Sequence, residues 1–474
     1  MDFTYVIHFA VICISLLLGA FLRARIKLLQ RYLIPSPIIG GVFLLLFYNY
    51  VAPRLGMNNV FLGDLVYHLL NVSFIAMMLR NPSEKRKNGS RGVKANVVGT
   101  IGQYGLQTFF GLVLAAILGA TICKGLNPAF GFQLTLGFEL GPGQAYSMSK
   151  VWESMGYEGA ASVGLTMAAI GFLVGSVGGV ILINTAIKRK WISEEQAEKL
   201  RSQGTRSGFI FSSKQPGAYN TTDGESIDSL TYHLALVAFT YFLSYLALSG
   251  MEKLLGLAGD MGLGLAESLW GINFVFSSLL ALLVRAVMTK LHVNQSIDTD
   301  TMNRISGLST DFTVAASLGA ISISTVSGYW LPIVLMVILG IFITCFVLPW
   351  YSSRLFDDNQ FNRTLMLFGS ATGTMPTGLS LLRVVDPNFE SPAAQDFIYG
   401  TGLVFPLAIP LILSANLPAK SVLDGKPALL WISIAIAGAY LVGSIIAYVI
   451  MSKKRSFADR DKFFFVSRKK ESEK

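Results

Sequence analysis

Gly137-Phe138-Glu139-Leu140-Gly141-Pro142-Gly143-Gln144-Ala145-Tyr146-Ser147-Met148-Ser149-Lys150 is apolar at its flanks and broken in its middle. Glycine admits dihedrals that other residues avoid, and proline removes a donor and fixes φ. The Gly141-Pro142-Gly143 run therefore interrupts a helix and frees backbone N–H and C=O groups. A second stretch repeats the pattern: Gly369-Ser370-Ala371-Thr372-Gly373-Thr374-Met375-Pro376-Thr377-Gly378-Leu379-Ser380. Irregular backbone is tolerated at membrane depth only where protein or a watery cavity satisfies it. The two segments, 128–152 and 360–384, accordingly read as re-entrant hairpins.

The surrounding chain is membrane-like. Of 474 residues, 52% are apolar and 14% charged, against about 25% charged in a soluble domain. That excludes an ordinary cytosolic enzyme and a disordered protein. A helix needs about 20 apolar residues to cross the hydrocarbon core. Spans of that kind fall at 4–22, 32–50, 62–79, 95–121, 159–187, 228–248, 270–288, 304–326, 331–350, 393–415 and 427–451. The fold class is thus an all-α polytopic membrane protein of about 11 transmembrane helices. The weakest span is 304–326, which carries Arg304 and Asp311 and is rich in Ser and Thr.

Basic residues cluster after alternate spans. Arg23, Arg25, Lys27 and Arg31 follow the first, Arg80 to Lys94 the third, Lys188 to Lys214 the fifth, and Lys453 to Lys474 the last. The intervening loops hold little beyond Arg54, Lys124, Lys253, Lys420 and Lys426. By the positive-inside rule the N-terminus is outside and the C-terminus cytoplasmic. The net charge of +10 is therefore explained by orientation, with no nucleic acid implied. The start of the chain lacks the basic n-region of a signal peptide. Cys13, Cys123 and Cys345 are too far apart for a disulfide framework or a zinc site. The four histidines have no catalytic partner nearby in sequence.

The long polar stretch 188–229 reads as a cytoplasmic linker, partly helical around Ser193–Leu200. It divides the chain into 1–187, a first repeat with its hairpin, and 230–415, a second repeat with its own. Residues 416–474 add one transmembrane helix and a basic tail. Each repeat has five spans, an odd number, so the halves are inverted and their hairpins enter from opposite faces. Inverted repeats with broken helices near the midplane mark secondary transporters.

Half-helix N-termini can face an anionic group, and freed carbonyls or hydroxyls can hold a hard cation. Gly141, Gly143, Gln144, Ser147, Gly373, Thr374, Pro376 and Thr377 are the substrate-binding candidates. Ser370, Thr372 and Asp311 are the cation-binding candidates, with Na⁺ the only metal expected. Asp311 and Arg304 share one helical face, where a structural ion pair is the alternative. Glu139 and Lys150 bracket the first hairpin and are placed at the interface. Asn96, Gln103 and Gln107 mark a helix face turned toward protein. The Phe463-Phe464-Phe465-Val466 run between basic clusters suits adsorption to an anionic lipid surface.

The chain resembles the bacterial sodium/glutamate symporters. Tyr32-Leu33-Ile34-Pro35-Ser36-Pro37-Ile38-Ile39-Gly40-Gly41 is similar to that family's Tyr-x-Ile-Pro-x-Pro-x-x-Gly-Gly segment. The first hairpin, with Ser149-Lys150 and Gly156-Tyr157, resembles the family's first pore loop, and Met375-Pro376-Thr377 the second. The likeness covers most of residues 4–415. Two departures stand out. Gly141-Pro142-Gly143-Gln144 replaces a Gly-richer loop carrying His and Thr, and Arg80 precedes Asn81 where the family has an uncharged turn. The resemblance implies a homodimer in the bacterial inner membrane, not an enzyme, that needs no cofactor. It would couple uptake of glutamate, a small anionic amino acid, to Na⁺ by elevator-type alternating access. A cation- or H⁺-coupled transporter of another small organic anion is the second reading and a channel the third.

The orientation is directly testable. Cysteines introduced near Arg86 and at Ser456 are expected to be shielded from impermeant reagents in whole cells, and one at Pro53 to react. Labelling of the tail from outside would remove either the final span or the N-out orientation.

Overall fold

The computed structural model describes residues 3–81, 91–192, 218–257, 269–386, 391–460 and 462–465, with single positions 259, 263 and 266. The helix expected around Ser193–Leu200 lies outside the described residues. So do the probe position near Arg86 and the last residues of the tail. Among the described residues every regular element is helical.

The principal helices are α1 (Thr4–Arg25), α2 (Ser36–Leu46), α3 (Val60–Leu79), α4 (Arg91–Ala120), α5 (Pro142–Ser154), α6 (Ala160–Lys188) and α7 (Ser229–Gly256). They continue as α8 (Asn273–Lys290), α9 (Thr299–Gly319), α10 (Trp330–Phe342), α11 (Gln360–Ser370), α12 (Met375–Val385), α13 (Ala393–Ser414) and α14 (Ala428–Ser452). Among the described residues ten spans are long and apolar enough to cross a bilayer: α1, α2 with its extension to Leu55, α3, α4, α6, α7, α8, α10 with its extension to Leu355, α13 and α14. Their outer faces leave large apolar side chains exposed, such as Leu17, Ile181, Phe342 and Ile446. That is the surface of a polytopic membrane protein.

The eleventh expected span differs. It is α9, which begins earlier than position 304 and ends at Gly319 rather than 326. It is long enough to span but too polar to count among the ten. Protein, rather than lipid, covers much of it: Thr301, Ser306, Ser309, Thr313 and Ser317 are all buried, and it packs on α2 and α3. Hydropathy measures affinity for lipid, so a helix solvated by its neighbours falls short.

The helices sort into two bundles. In the first, α1, α2, α3, α7, α8 and α9 pack on one another. Glycine permits the closest approach: a Cβ on Gly19 would lie 2.3 Å from the Ser36 carbonyl, and one on Gly40 2.5 Å from that of Ser15. Close backbone contact through small residues drives helix association where lipid removes the hydrophobic incentive. A polar cluster ties α3, α7 and α8 together. Ser277 donates to Asn71 Oδ1 at 2.8 Å and Ser244 to Asn273 Oδ1 at 2.7 Å. At the end of α3, Arg285 donates to the carbonyls of Met78 and Arg80 at 2.9 and 3.0 Å. It thereby caps carbonyls that the helix itself cannot satisfy.

In the second bundle, α4 packs on α13, α14 and the 3₁₀ turn Pro128–Phe132, while α6 receives both broken segments. Asn96, Gln103 and Gln107 on α4 are buried, as their placement toward protein requires. The tail folds onto this bundle. Arg354, fully buried, donates to the carbonyls of Ala458, Asp459 and Lys462 at 3.0, 2.7 and 2.9 Å. Phe464 is buried and stacks on Trp191 at 4.6 Å between centroids. The aromatic run expected to adsorb to lipid therefore packs, at Phe464, against protein. Ser456 is buried too, so the exposed Lys454 is the better labelling position.

Arg363 of α11 and Asp396 at the start of α13 form a buried ion pair at 2.8 Å. Gly92 makes room for it, since a Cβ there would lie 2.2 Å from Asp396 Oδ2. Breaking one side of a buried pair costs about 3–5 kcal/mol. Asp396→Asn is therefore expected to lower the melting midpoint in detergent markedly, and Gly92→Ala to shift it the same way. Unchanged midpoints in both variants would exclude a structural role for the pair.

Candidate functional site

Both broken segments take the form helix, break, helix. The first arm of the first is the 3₁₀ turn Pro128–Phe132 followed by the π-helical Thr135–Leu140. Gly141 then breaks the chain at φ +89°, a left-handed region that favours glycine, and α5 starts at Pro142. Pro at a helix start wastes no intrahelical donor. In the second segment α11 ends at Ser370, and α12 restarts at Met375 with Pro376 in its first turn. Its arms pack closely, a Cβ on Gly369 lying 2.6 Å from Gly378 Cα. Helix α6 backs both breaks. Its Gly164 faces Gln133 and Ser149, and its Gly175 faces Thr372, where a Cβ would lie 2.6 Å from the hydroxyl.

The two breaks meet. A Cβ on Gly141 would lie 2.9 Å from Thr374 Cγ2 and 3.4 Å from the Gly373 carbonyl. In front of this junction is a cavity of about 160 Å³ between the bundles. Leu70, Ser73 and Phe74 of α3 and Ser306, Thr310 and Thr313 of α9 line one side. Glu139, Leu140, Pro142, Gly143 and Gln144 of the first break, Ser370, Thr374, Met375 and Pro376 of the second, and Thr401 of α13 contribute to the other. The N-termini of α5 and α12 both open here, so backbone N–H groups and the positive ends of two helices converge on one space.

The expected site residues divide accordingly. Gly143, Gln144, Ser370, Thr374 and Pro376 line the cavity, and Gly141 and Gly373 form the contact behind it. Thr372 is buried against α6 and donates to the Phe368 carbonyl at 2.8 Å. Thr377 is buried beside Gly373 and Gly175. Ser147 points away from the cavity and donates to the Gly271 carbonyl at 2.5 Å. Asp311 lies on an exposed stripe of α9 with Arg304 and Leu308, outside the lining.

Glu139 sits differently from its expected interface position: it is buried and lines the cavity. Lys150 does lie outside, exposed and paired with Glu153 at 2.9 Å. The hydroxyls of α9 and Thr401 were not foreseen as lining residues. Their signal was the Ser/Thr density of 304–326, which only packing could assign to this face. Three of the four histidines hold structural positions. His8 pairs with Tyr48 at 2.6 Å, His68 with Tyr241 at 2.8 Å, and His233 accepts from the Asp298 backbone N–H at 2.8 Å.

A family model described as sodium/glutamate symporter matches residues 1–355. The chain belongs to the sodium/glutamate symporter family. The family match takes in the first break and the Tyr32–Gly41 segment and stops short of α11, so the second break lies beyond it. Similar curated proteins are the sodium/glutamate symporters of Escherichia coli K12 and Shigella flexneri. Each is 27% identical over 172 residues, 35% of this chain. The chain spans 41% of the length of these curated relatives. No solved structure matches.

Two variants test whether a solute binds in this cavity. Loss of one hydrogen bond to a charged group costs about 1.5–3 kcal/mol, roughly tenfold to hundredfold in affinity. Gln144→Ala, which strips a polar group from the lining, is expected to raise half-saturating substrate by that factor. Ser147→Ala leaves the Gly271 carbonyl unpaired and is expected to lower the melting midpoint while half-saturating substrate stays unchanged. The reverse pattern would move the site to the opposite face of α5.

Proposed function

We propose that this protein is a Na⁺-coupled secondary active transporter of glutamate or a closely related small anion. The observation that carries this reading is the meeting of Gly141 with Gly373 and Thr374 at a cavity between two bundles. Membership of the sodium/glutamate symporter family supports the ion and the substrate. The N-termini of α5 and α12 hold the substrate's carboxylates, with Gly143, Gln144, Thr374 and Pro376 shaping the pocket. Oxygen atoms near the second break, Ser370 and Thr372 among them, serve the cation.

The two repeats, 1–187 and 230–415, are inverted, and their broken segments are re-entrant from opposite faces. The first three spans of each repeat supply one bundle and the rest the other. The bundle carrying both breaks slides as an elevator against α3, α8 and α9, opening the cavity to each side in turn. The protein resides in the bacterial inner membrane, N-terminus outside, as a homodimer with membrane lipid around it. Its work is transport, not catalysis.

A second reading, another small organic anion or H⁺ coupling, is favoured by one observation: Gln144 and Glu139 line the cavity next to a loop that departs from the family's pattern.

Purified protein in proteoliposomes decides between them. Glutamate is expected to accumulate under an inward Na⁺ gradient and not under a K⁺ gradient or a pH gradient alone. Accumulation of a different anion from the same panel, or of glutamate without Na⁺, would replace the first reading by the second.

A further inference from the structure

Among the described residues Glu139 is the one charged residue lining the cavity, and no Lys, Arg or His accompanies it there. Only 5% of the residue is exposed. Its Oε2 accepts a long hydrogen bond, 3.5 Å, from Gln107 Nε2, and its Oε1 has no hydrogen-bond partner. The same Gln107 nitrogen also reaches Gln103 Oε1 at 3.3 Å and the Ala371 carbonyl at 3.4 Å. One amide carries two hydrogens, yet three oxygens from three elements surround it at long distance. The nearby ionisable groups are Tyr104 and Tyr351. Tyr351 already donates to the Gly99 carbonyl at 2.9 Å, and neither tyrosine supplies a positive charge.

Further negative potential converges here. Ala371 follows the last residue of α11, so its carbonyl belongs to the negative end of that helix. The Thr374 hydroxyl lines the same cavity and has no hydrogen-bond partner. A carboxylate, a helix-end carbonyl and a free hydroxyl are hard oxygen donors suited to a hard cation. Leaving a buried carboxylate without a counter-charge is costly, and a bound ion removes that cost.

We propose that Glu139, the Ala371 carbonyl and the Thr374 hydroxyl form a sodium site at the junction of the two helix breaks. The proposal rests on the transport reading above and adds its order of binding. With the site vacant, the Glu139 charge repels an anion from the neighbouring N-termini of α5 and α12. With Na⁺ bound, the charge is cancelled and the anion can enter. The ion is thereby a precondition for the substrate, and the coupling is electrostatic.

The test uses purified full-length protein without substrate, melted in NaCl or in choline chloride at constant ionic strength. Na⁺ is expected to raise the midpoint of the parent. In Glu139→Gln the half-saturating Na⁺ is expected to rise about tenfold or more, the loss of one charge-assisted ligand. Thr374→Ala, which removes a neutral ligand, gives a smaller rise and serves if Glu139→Gln does not fold. Parent-like Na⁺ dependence in Glu139→Gln, or in Thr374→Ala where that variant serves, overturns the site. A parent stabilised by lowering pH but indifferent to Na⁺ also overturns it, because the carboxylate then takes a proton. Failure of the transport reading looks different: Na⁺ stabilises the parent through Glu139, yet no anion of the panel accumulates in proteoliposomes.

Discussion

A backbone N–H or C=O with no partner is costly wherever water is excluded, and this protein breaks two helices inside its own apolar body. Everything around the breaks answers that cost. Each break leaves a C-terminal helix end, a few irregular residues and an N-terminal helix end. Placing the two breaks against each other, and both against α6, encloses these groups in protein. The glycines of α6 and of the arms are the means, because only backbone without a Cβ lets Thr372 and Gly378 come so near. What enclosure does not satisfy is left facing a cavity, and there a ligand can complete it.

The same constraint explains the polar residues elsewhere in the interior. Asn71, Ser244, Asn273 and Ser277 satisfy one another across three helices of the first bundle. Arg285 takes up two backbone carbonyls at a helix end, and Arg354 three in the tail. Arg363 and Asp396 meet as a buried pair. Buried side-chain atoms without a hydrogen-bond partner remain on nine of the described residues, and four of these are Glu139, Gln107, Thr313 and Thr374. Three of those four residues line the cavity. The other unpartnered groups, such as those of Asn96, Gln133 and Tyr157, lie outside the lining, so an unpartnered atom marks the site only where it also faces the cavity.

The last helix and tail give the second bundle features of its own. Helix α14 lies along α4, with Gly105 against the Leu441 backbone. The tail then returns to Arg354 and Trp191, joining the ends of α6 and α10 beside the second broken segment. These contacts all fall within one bundle, so a movement of that bundle as a unit would leave them intact.

The helical class, the boundaries of most spans and the positions of both breaks were determined by the sequence itself. These are local properties. Apolar runs of membrane length, and Gly-Pro-Gly or Met-Pro-Thr within them, constrain the backbone whatever surrounds it. The polar face of α4 was legible for the same reason, because Asn96, Gln103 and Gln107 recur at helical spacing. Tertiary structure alone decided which polar side chains face which neighbour. Ser147 and Gln144 lie three residues apart on α5, yet one bonds Gly271 and the other lines the cavity. Asp311 follows Thr310 directly, yet it turns outward while Thr310 turns in. Glu139 looks like an interface residue from its position beside a break, and burial places it at the centre. Within a helix one step rotates a side chain by about 100°, so its surroundings depend on how helices distant in sequence pack around it.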